Sequence, residues 1–175
     1  MSRKKRHRPT VLPVLGVDVG GVLVDRVAED SDTSFFGDRP METPVVPGAL
    51  DALRTLAPLF EYRIHIVSKA GPKIAALTTD WLDRRGFFAD GVVVAERLWY
   101  VRKRPEKAPI CDRLGVTHFI DDRADILAAL AGVQYRYLFT GGLGSNPIPQ
   151  HVPVGVAVCE TWPELVQRIT TSLER

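Results

Sequence analysis

The stretch Val14–Asp25, VLGVDVGGVLVD, decides how the rest of the chain is read. Val14–Val19 is a short run rich in β-branched residues, the pattern of a buried strand. Its one charge, Asp18, comes near the end of that run, and a glycine pair, Gly20-Gly21, follows. By itself Asp18 reads equally well as a turn or cap residue. Its meaning depends on what the later strands bring beside it.

Outward from this strand, apolar runs alternate with helical patterns. Residues 48–58 hold Leu50, Leu53, Leu56 and Ala57 at helical spacing. Residues 62–67 (YRIHIV) alternate as a strand does. Residues 72–85 predict a helix, with Pro72 in its first turn, Ile74, Leu77, Trp81 and Leu82 on one face, and Gly86 as the stop. A third strand is predicted at 92–95, a helix at 105–114 ended by Gly115, and a fourth strand at 117–120. A helix at 123–131 and strands at 135–139 and 154–158 follow. Thr161 is predicted to cap a last helix running to Leu173. Repeated β–α alternation predicts an α/β fold of three layers, with a doubly wound, mostly parallel sheet and helices on both faces.

The length, 175 residues, suits one such domain, because single cores commonly hold ~100–200 residues. We therefore expect a single domain over 14–175, preceded by a basic tail over 1–13. That tail contains Arg3, Lys4, Lys5, Arg6 and Arg8 and no acid. It leaves 18 Lys and Arg against 21 Asp and Glu, so the net +2 is a body of −3 with a basic arm. The apolar run after the tail contains Pro13 and stops at Asp18, which reads against a secretion signal. No stretch reaches the ~18 uncharged apolar residues of a membrane span. Cys111 and Cys159 form no CxxC and read as reduced thiols of a cytoplasmic protein. Residues 25–48 and 140–153 are turn-rich and longer than ordinary connections. The first reads as a small lid or loop insertion.

Ligands of doubly wound sheets bind beyond the carboxyl ends of the strands. There stand Asp18, then Ser68-Lys69 after the second strand, and Asp121-Asp122 after the fourth, with Asp125 close behind. The basic cluster Arg102, Lys103, Arg104 and Lys107 precedes the helix before the fourth strand. Gathered carboxylates repel one another and call for a hard, oxygen-seeking cation such as Mg²⁺. A hydroxyl and a lysine beside them suit a transferring phosphoryl group, and a carboxylate can serve as its nucleophile. Each of these groups has an ordinary reading, a helix cap for Asp121-Asp122 and a solvated face for 102–107. Their order and spacing carry the weight.

These residues resemble the motifs of the haloacid dehalogenase superfamily of phosphatases and related hydrolases. The likeness runs from Val14 to about Phe139. VLGVDVGGVLVD is similar to its first motif, IHIVS to its second and THFIDDRAD to its fourth. The resemblance implies a Rossmann-like fold and a Mg²⁺-dependent hydrolase with Asp18 as nucleophile and metal ligand. It implies the Gly20 carbonyl and Asp122 as further ligands, with Asp121 in support. Ser68 and a lysine would hold the phosphoryl group. That lysine is Lys107, with Lys103 as second candidate. Asp125 falls one position short of a further acidic site. The family's second aspartate in the first motif, its general acid and base, is here Gly20. That departure implies weakened acid–base catalysis, or a fold kept for binding or regulation alone. No large cap domain follows, so the rim is open to a phosphorylated substrate as large as a phosphoprotein or a nucleic-acid end. His65 and Asp25 find no assignment.

GVDVGG also resembles the phosphate turn of sugar kinases of the actin-like fold. Those continue with Thr where this chain has Val22, and they need a second domain. Nucleic-acid binding through the tail would be weak and salt-sensitive. Removing residues 1–9 is expected to leave filter binding to DNA and RNA at low salt unchanged. A marked loss would give the tail that role.

Overall fold

A computed structural model describes residues 11–25, 39–142 and 148–175. The basic tail up to residue 10, the centre of the 25–48 insertion and residues 143–147 lie outside that set. Six strands form one sheet in which every neighbouring pair is parallel. They are β1 (Leu15–Val17), β2 (Ile64–Lys69), β3 (Leu98–Val101), β4 (His118–Asp121), β5 (Tyr135–Phe139) and β6 (Val156–Cys159), in the order β3-β2-β1-β4-β5-β6. The helices are α1 (Ala49–Leu56), α2 (Pro72–Arg84), α3 (Lys107–Leu114), α4 (Ala124–Ala129) and α5 (Trp162–Leu173). The chain moves outward from β1 to β3, then crosses back to β4 and moves the other way. Right-handed crossovers in opposite directions put their helices on opposite faces. Accordingly α1, α2 and α5 bury Leu53, Trp81, Leu82, Trp162 and Leu165 on one face. On the other, α3 and α4 bury Cys111, Ile126 and Leu127 against Phe119 and Leu138. The predicted three-layer α/β fold is the one observed.

Strand pleating sorts β1 between these layers. Leu15 and Val17 enter the first cluster. Gly16 faces the second, where a Cβ would meet the Phe119 ring at 2.4 Å. The next residue on that face is Asp18, so the same alternation that packs the core aims its carboxylate toward α3.

The third strand differs from expectation. Residues 92–95 are not a strand. Val92 has helical angles (φ −58°, ψ −49°), and Val92 and Val93 plug the first core cluster between two 3-10 turns. The edge strand lies six residues later, at Leu98–Val101, paired from Ile66↔Leu98 to Lys69↔Val101. The edge strand Leu98–Val101 is itself an apolar run but mostly half-buried, and the β-branched run Val92-Val93-Val94 just before it carries the stronger strand signal. Two helices are shorter than predicted. Beyond Leu56 a 3-10 turn runs through Ala57–Phe60, and α4 stops at Ala129. Thr161 caps α5 as predicted, its Oγ accepting the Glu164 N–H at 3.3 Å. The described stem of the 25–48 insertion is tied down. Trp81 Nε1 and Arg85 Nη2 donate to the Thr43 carbonyl at 2.9 Å, and Val46 N–H donates to the Leu23 carbonyl at 2.8 Å.

A polar set inside the first layer escaped the sequence reading. His118 Nδ1 lies 2.7 Å from Thr117 Oγ1 and its Nε2 lies 2.9 Å from Ser172 Oγ, with Tyr135 stacked on the ring at 4.6 Å. Burial pushes the imidazole pKa down to about 4 from 6.5. The unfolded chain therefore takes up a proton that the native state refuses. This contribution is complete above pH 6.5 and is lost as pH falls toward 4. Between pH 7 and pH 4.5 urea unfolding is expected to lose roughly 2 kcal/mol from this group, a loss that His118→Gln removes.

Candidate active site

The site lies where the winding reverses, at the carboxyl ends of the adjacent strands β1 and β4. Asp18 N–H still donates to the Ile120 carbonyl at 3.0 Å, so sheet pairing sets its backbone. The chain then turns sharply, and the N–H groups of Val22, Leu23 and Val24 all point back at the Val19 carbonyl. Gly21 occupies this turn at φ 72°, where a Cβ would stand 2.7 Å from Asp122 Oδ2. Only glycine allows both the left-handed backbone and the close approach of β4's carboxylate. From α5, Trp162 Nε1 donates to the Val22 carbonyl at 3.1 Å and pins the turn.

Lys107, the first residue of α3, points back at the sheet from the opposite layer. Glu106 sets the approach, because its carboxylate accepts the N–H groups of Arg102 at 3.0 Å and Lys103 at 3.2 Å. Lys107 Nζ lies 3.0 Å from Asp18 Oδ1 and 2.8 Å from Asp121 Oδ2. Burial alone would lower the ammonium's pKa. The carboxylates of Asp121 and Asp18 outweigh that and hold it above the ordinary lysine value. Asp121 is fully buried, and its other oxygen accepts the Arg123 N–H at 3.0 Å. Burial first, then the charges of Asp18 and Asp122, push its pKa up against the pull of Lys107.

Carboxylate oxygens of Asp18, Asp121 and Asp122 all lie within 4.8 Å of one another. Two of these carboxylates, Asp18 and Asp121, share one buried ammonium, and Asp18 Oδ1, fully enclosed, accepts no hydrogen bond of good geometry. An all-oxygen, anion-rich set of this kind fits a hard divalent cation. Asp18 and Asp122 open on a small cleft of about 50 Å³ whose wall includes Ser68, Lys69, Arg104 and Lys107. Asp121 is absent from that wall and is committed to Lys107 and the backbone. An ion entering the cleft would therefore meet Asp18 and Asp122, with Asp121 behind them. Gly20 is buried in the turn two residues after Asp18.

Other candidates fall elsewhere. Lys103 is exposed and is not in the cleft wall. Asp125 sits outside, paired with Arg123 at 2.9 Å. His65 lies at the level of Gly16, below the site, and accepts a hydrogen bond from Trp99 Nε1 at 3.0 Å. Asp25 is buried behind the turn, where its N–H donates to the Pro44 carbonyl at 3.0 Å. Both cysteines are free and buried, and burial pushes each thiol up to about 12. The sequence reading gave no separate role to Gly21, Lys69 or Arg104. The Gly-Gly doublet was the available signal for the first. The other two looked like ordinary surface charge.

No protein-family model matches the chain, and no curated protein matches it. Among solved structures, a protein described as a haloacid dehalogenase-like hydrolase from Burkholderia xenovorans LB400 matches with a TM-score of 0.63. The match covers 93% of this chain and 98% of the other at 18% identity. The fold is thus that of a haloacid dehalogenase-like hydrolase. Among the described residues no helix is long and apolar enough to cross a membrane.

If the carboxylates hold Mg²⁺, millimolar Mg²⁺ is expected to raise the melting temperature, as any native-state ligand does. Asp122→Asn should abolish the increment, and Gly21→Ala should diminish it by pressing a methyl on Asp122. Differential scanning fluorimetry with and without EDTA checks all three.

Proposed function

We propose that this chain is a Mg²⁺-dependent hydrolase that acts on phosphoryl groups through an aspartyl-phosphate on Asp18. The observation that carries this reading is Asp18 held 3.0 Å from the Lys107 ammonium, with the oxygens of Asp121 and Asp122 within 4.8 Å, at the mouth of the sheet. Asp18, the Gly20 carbonyl and Asp122 would hold the Mg²⁺ ion, which would offset phosphoryl charge when bound. The Asp18 carboxylate would attack phosphorus in line with the leaving oxygen. Ser68 and Lys107 would bind the equatorial oxygens, and Asp121 would keep Lys107 aimed. Water would then attack phosphorus and break the P–O bond of the aspartyl-phosphate, freeing phosphate and the Asp18 carboxylate. The open rim suits a phosphorylated substrate that extends beyond the cleft, and the free buried thiols suit a reducing cytoplasm.

Gly20 supports a second reading. It carries no group for proton transfer at the position where the resemblance implies an acid. A chain so altered could serve as a binding or regulatory module with the fold and metal site retained. Aryl phosphate hydrolysis separates the two. The hydrolase reading expects Mg²⁺-dependent turnover that Asp18→Asn lowers by at least ~10³-fold, the scale of a lost nucleophile or transition-state donor. Gly20→Asp should raise turnover of poor leaving groups by ~10²-fold or more, the usual range for a positioned acid. No wild-type turnover on any substrate, with activity gained in Gly20→Asp, would establish the binding module instead.

A further inference from the structure

Two observations about the cleft narrow the substrate, and both rest on the hydrolase reading above. The first concerns protons. Among the described residues of the cleft wall, the side chains other than the carboxylates are a serine hydroxyl, an isoleucine and cations. Lys107 is engaged by Asp18 and Asp121, and Arg123 by Asp125. Asp18 and Asp122 are the groups assigned to nucleophile and ion. Among the described residues, then, the wall offers no further carboxylic acid or imidazole to protonate a departing oxygen. A leaving group must depart as a stable anion, which an alkoxide is not.

The second concerns charge. Lys69 and Arg104 stand in the wall at its exposed rim and make no ion pair among the described residues. They come from the ends of β2 and of the connection before α3, so they flank the mouth from two elements. The cleft is small, and whatever is attached to the reacting phosphoryl group must reach this rim. An anion there would meet two uncompensated cations.

We infer that the substrate is a phosphoanhydride, in which the leaving group is itself a phosphate. Asp18 forms a bond to the terminal phosphorus while the bridging P–O bond breaks. The bond's electron pair stays on the departing phosphate oxygen, and that phosphate is steadied by Lys69 and Arg104. Water then attacks the phosphorus, the P–O bond of the aspartyl-phosphate breaks, and Asp18 regains its carboxylate. The sum is one anhydride plus one water giving two phosphate products, with the water's protons passing to product phosphate and solvent. Phosphate departs without help, so the missing acid costs little on this substrate. On an alkyl ester it costs ~10²–10⁴-fold.

The test compares kcat/KM for inorganic pyrophosphate and ADP with glycerol 3-phosphate and 4-nitrophenyl phosphate, all with Mg²⁺. The anhydrides should exceed the alkyl ester by at least ~10²-fold. Lys69→Gln and Arg104→Gln should each lower the anhydride-to-aryl preference roughly tenfold, mainly through KM, with Lys69→Arg and Arg104→Lys restoring it. Aryl turnover dependent on Asp18, with alkyl ester equal to anhydride or with the preference unmoved in both Gln variants, overturns this inference and leaves the hydrolase reading standing. Loss of all turnover overturns the hydrolase reading. In that event calorimetry decides whether the rim recognises a diphosphate. Methylenediphosphonate should bind more tightly than methylphosphonate and lose that advantage in the Gln variants. Equal binding of the two overturns the inference as well.

Discussion

The Lys107 ammonium, set between Asp18 and Asp121, is the contact on which the site depends. It joins three elements that the chain visits far apart, the ends of β1 and β4 and the start of α3. Burying carboxylates without a partner costs several kcal/mol each, and here one lysine offsets two of them directly. The third carboxylate, Asp122, faces the same cleft as Asp18, and its oxygen lies within 4.8 Å of the other two. The geometry also divides labour among the carboxylates. Asp121, sealed from solvent with both oxygens engaged, fixes the lysine. Asp18 and Asp122 face outward.

The scaffold around this contact is built to prevent drift. Sheet pairing sets the Asp18 backbone, Trp162 holds the following turn, and the Glu106 carboxylate shapes the chain before α3. Gly21 allows β1's turn and β4's acid to approach more closely than any other residue would. Precision of this sort follows from rigid elements on both sides of the sheet, whereas Lys69 and Arg104 at the rim are exposed.

The sequence was informative wherever a residue's role follows from its own strand. An apolar run ending in Asp18, a second ending in Ser68 and a third ending in Asp121-Asp122 were legible because parallel sheets place strand ends on one rim. The β3 edge strand was misplaced by six residues, since the valine run at 92–94 carries a stronger β-branched signal than the half-buried Leu98–Val101. His118 was missed for a related reason. Its Ser172 partner lies 54 residues away, and no local pattern announces a hydrogen bond of that range.

Local order along the chain, strand by strand, was enough to determine the α/β class, the winding and the set of carboxylates that meet. It also placed Gly20 two residues after Asp18, where the resemblance implies an acid. The sequence ranked Lys107 ahead of Lys103, and the tertiary structure decided between them, because Lys107 opens α3 and is buried against the carboxylates whereas Lys103 lies on extended, exposed chain before it. Only the tertiary structure showed that Asp121 is sealed while Asp18 and Asp122 are open, and that Lys69 and Arg104 share a rim. Side-chain direction and burial depend on contacts between layers, and those contacts exist only once the sheet has been covered on both faces.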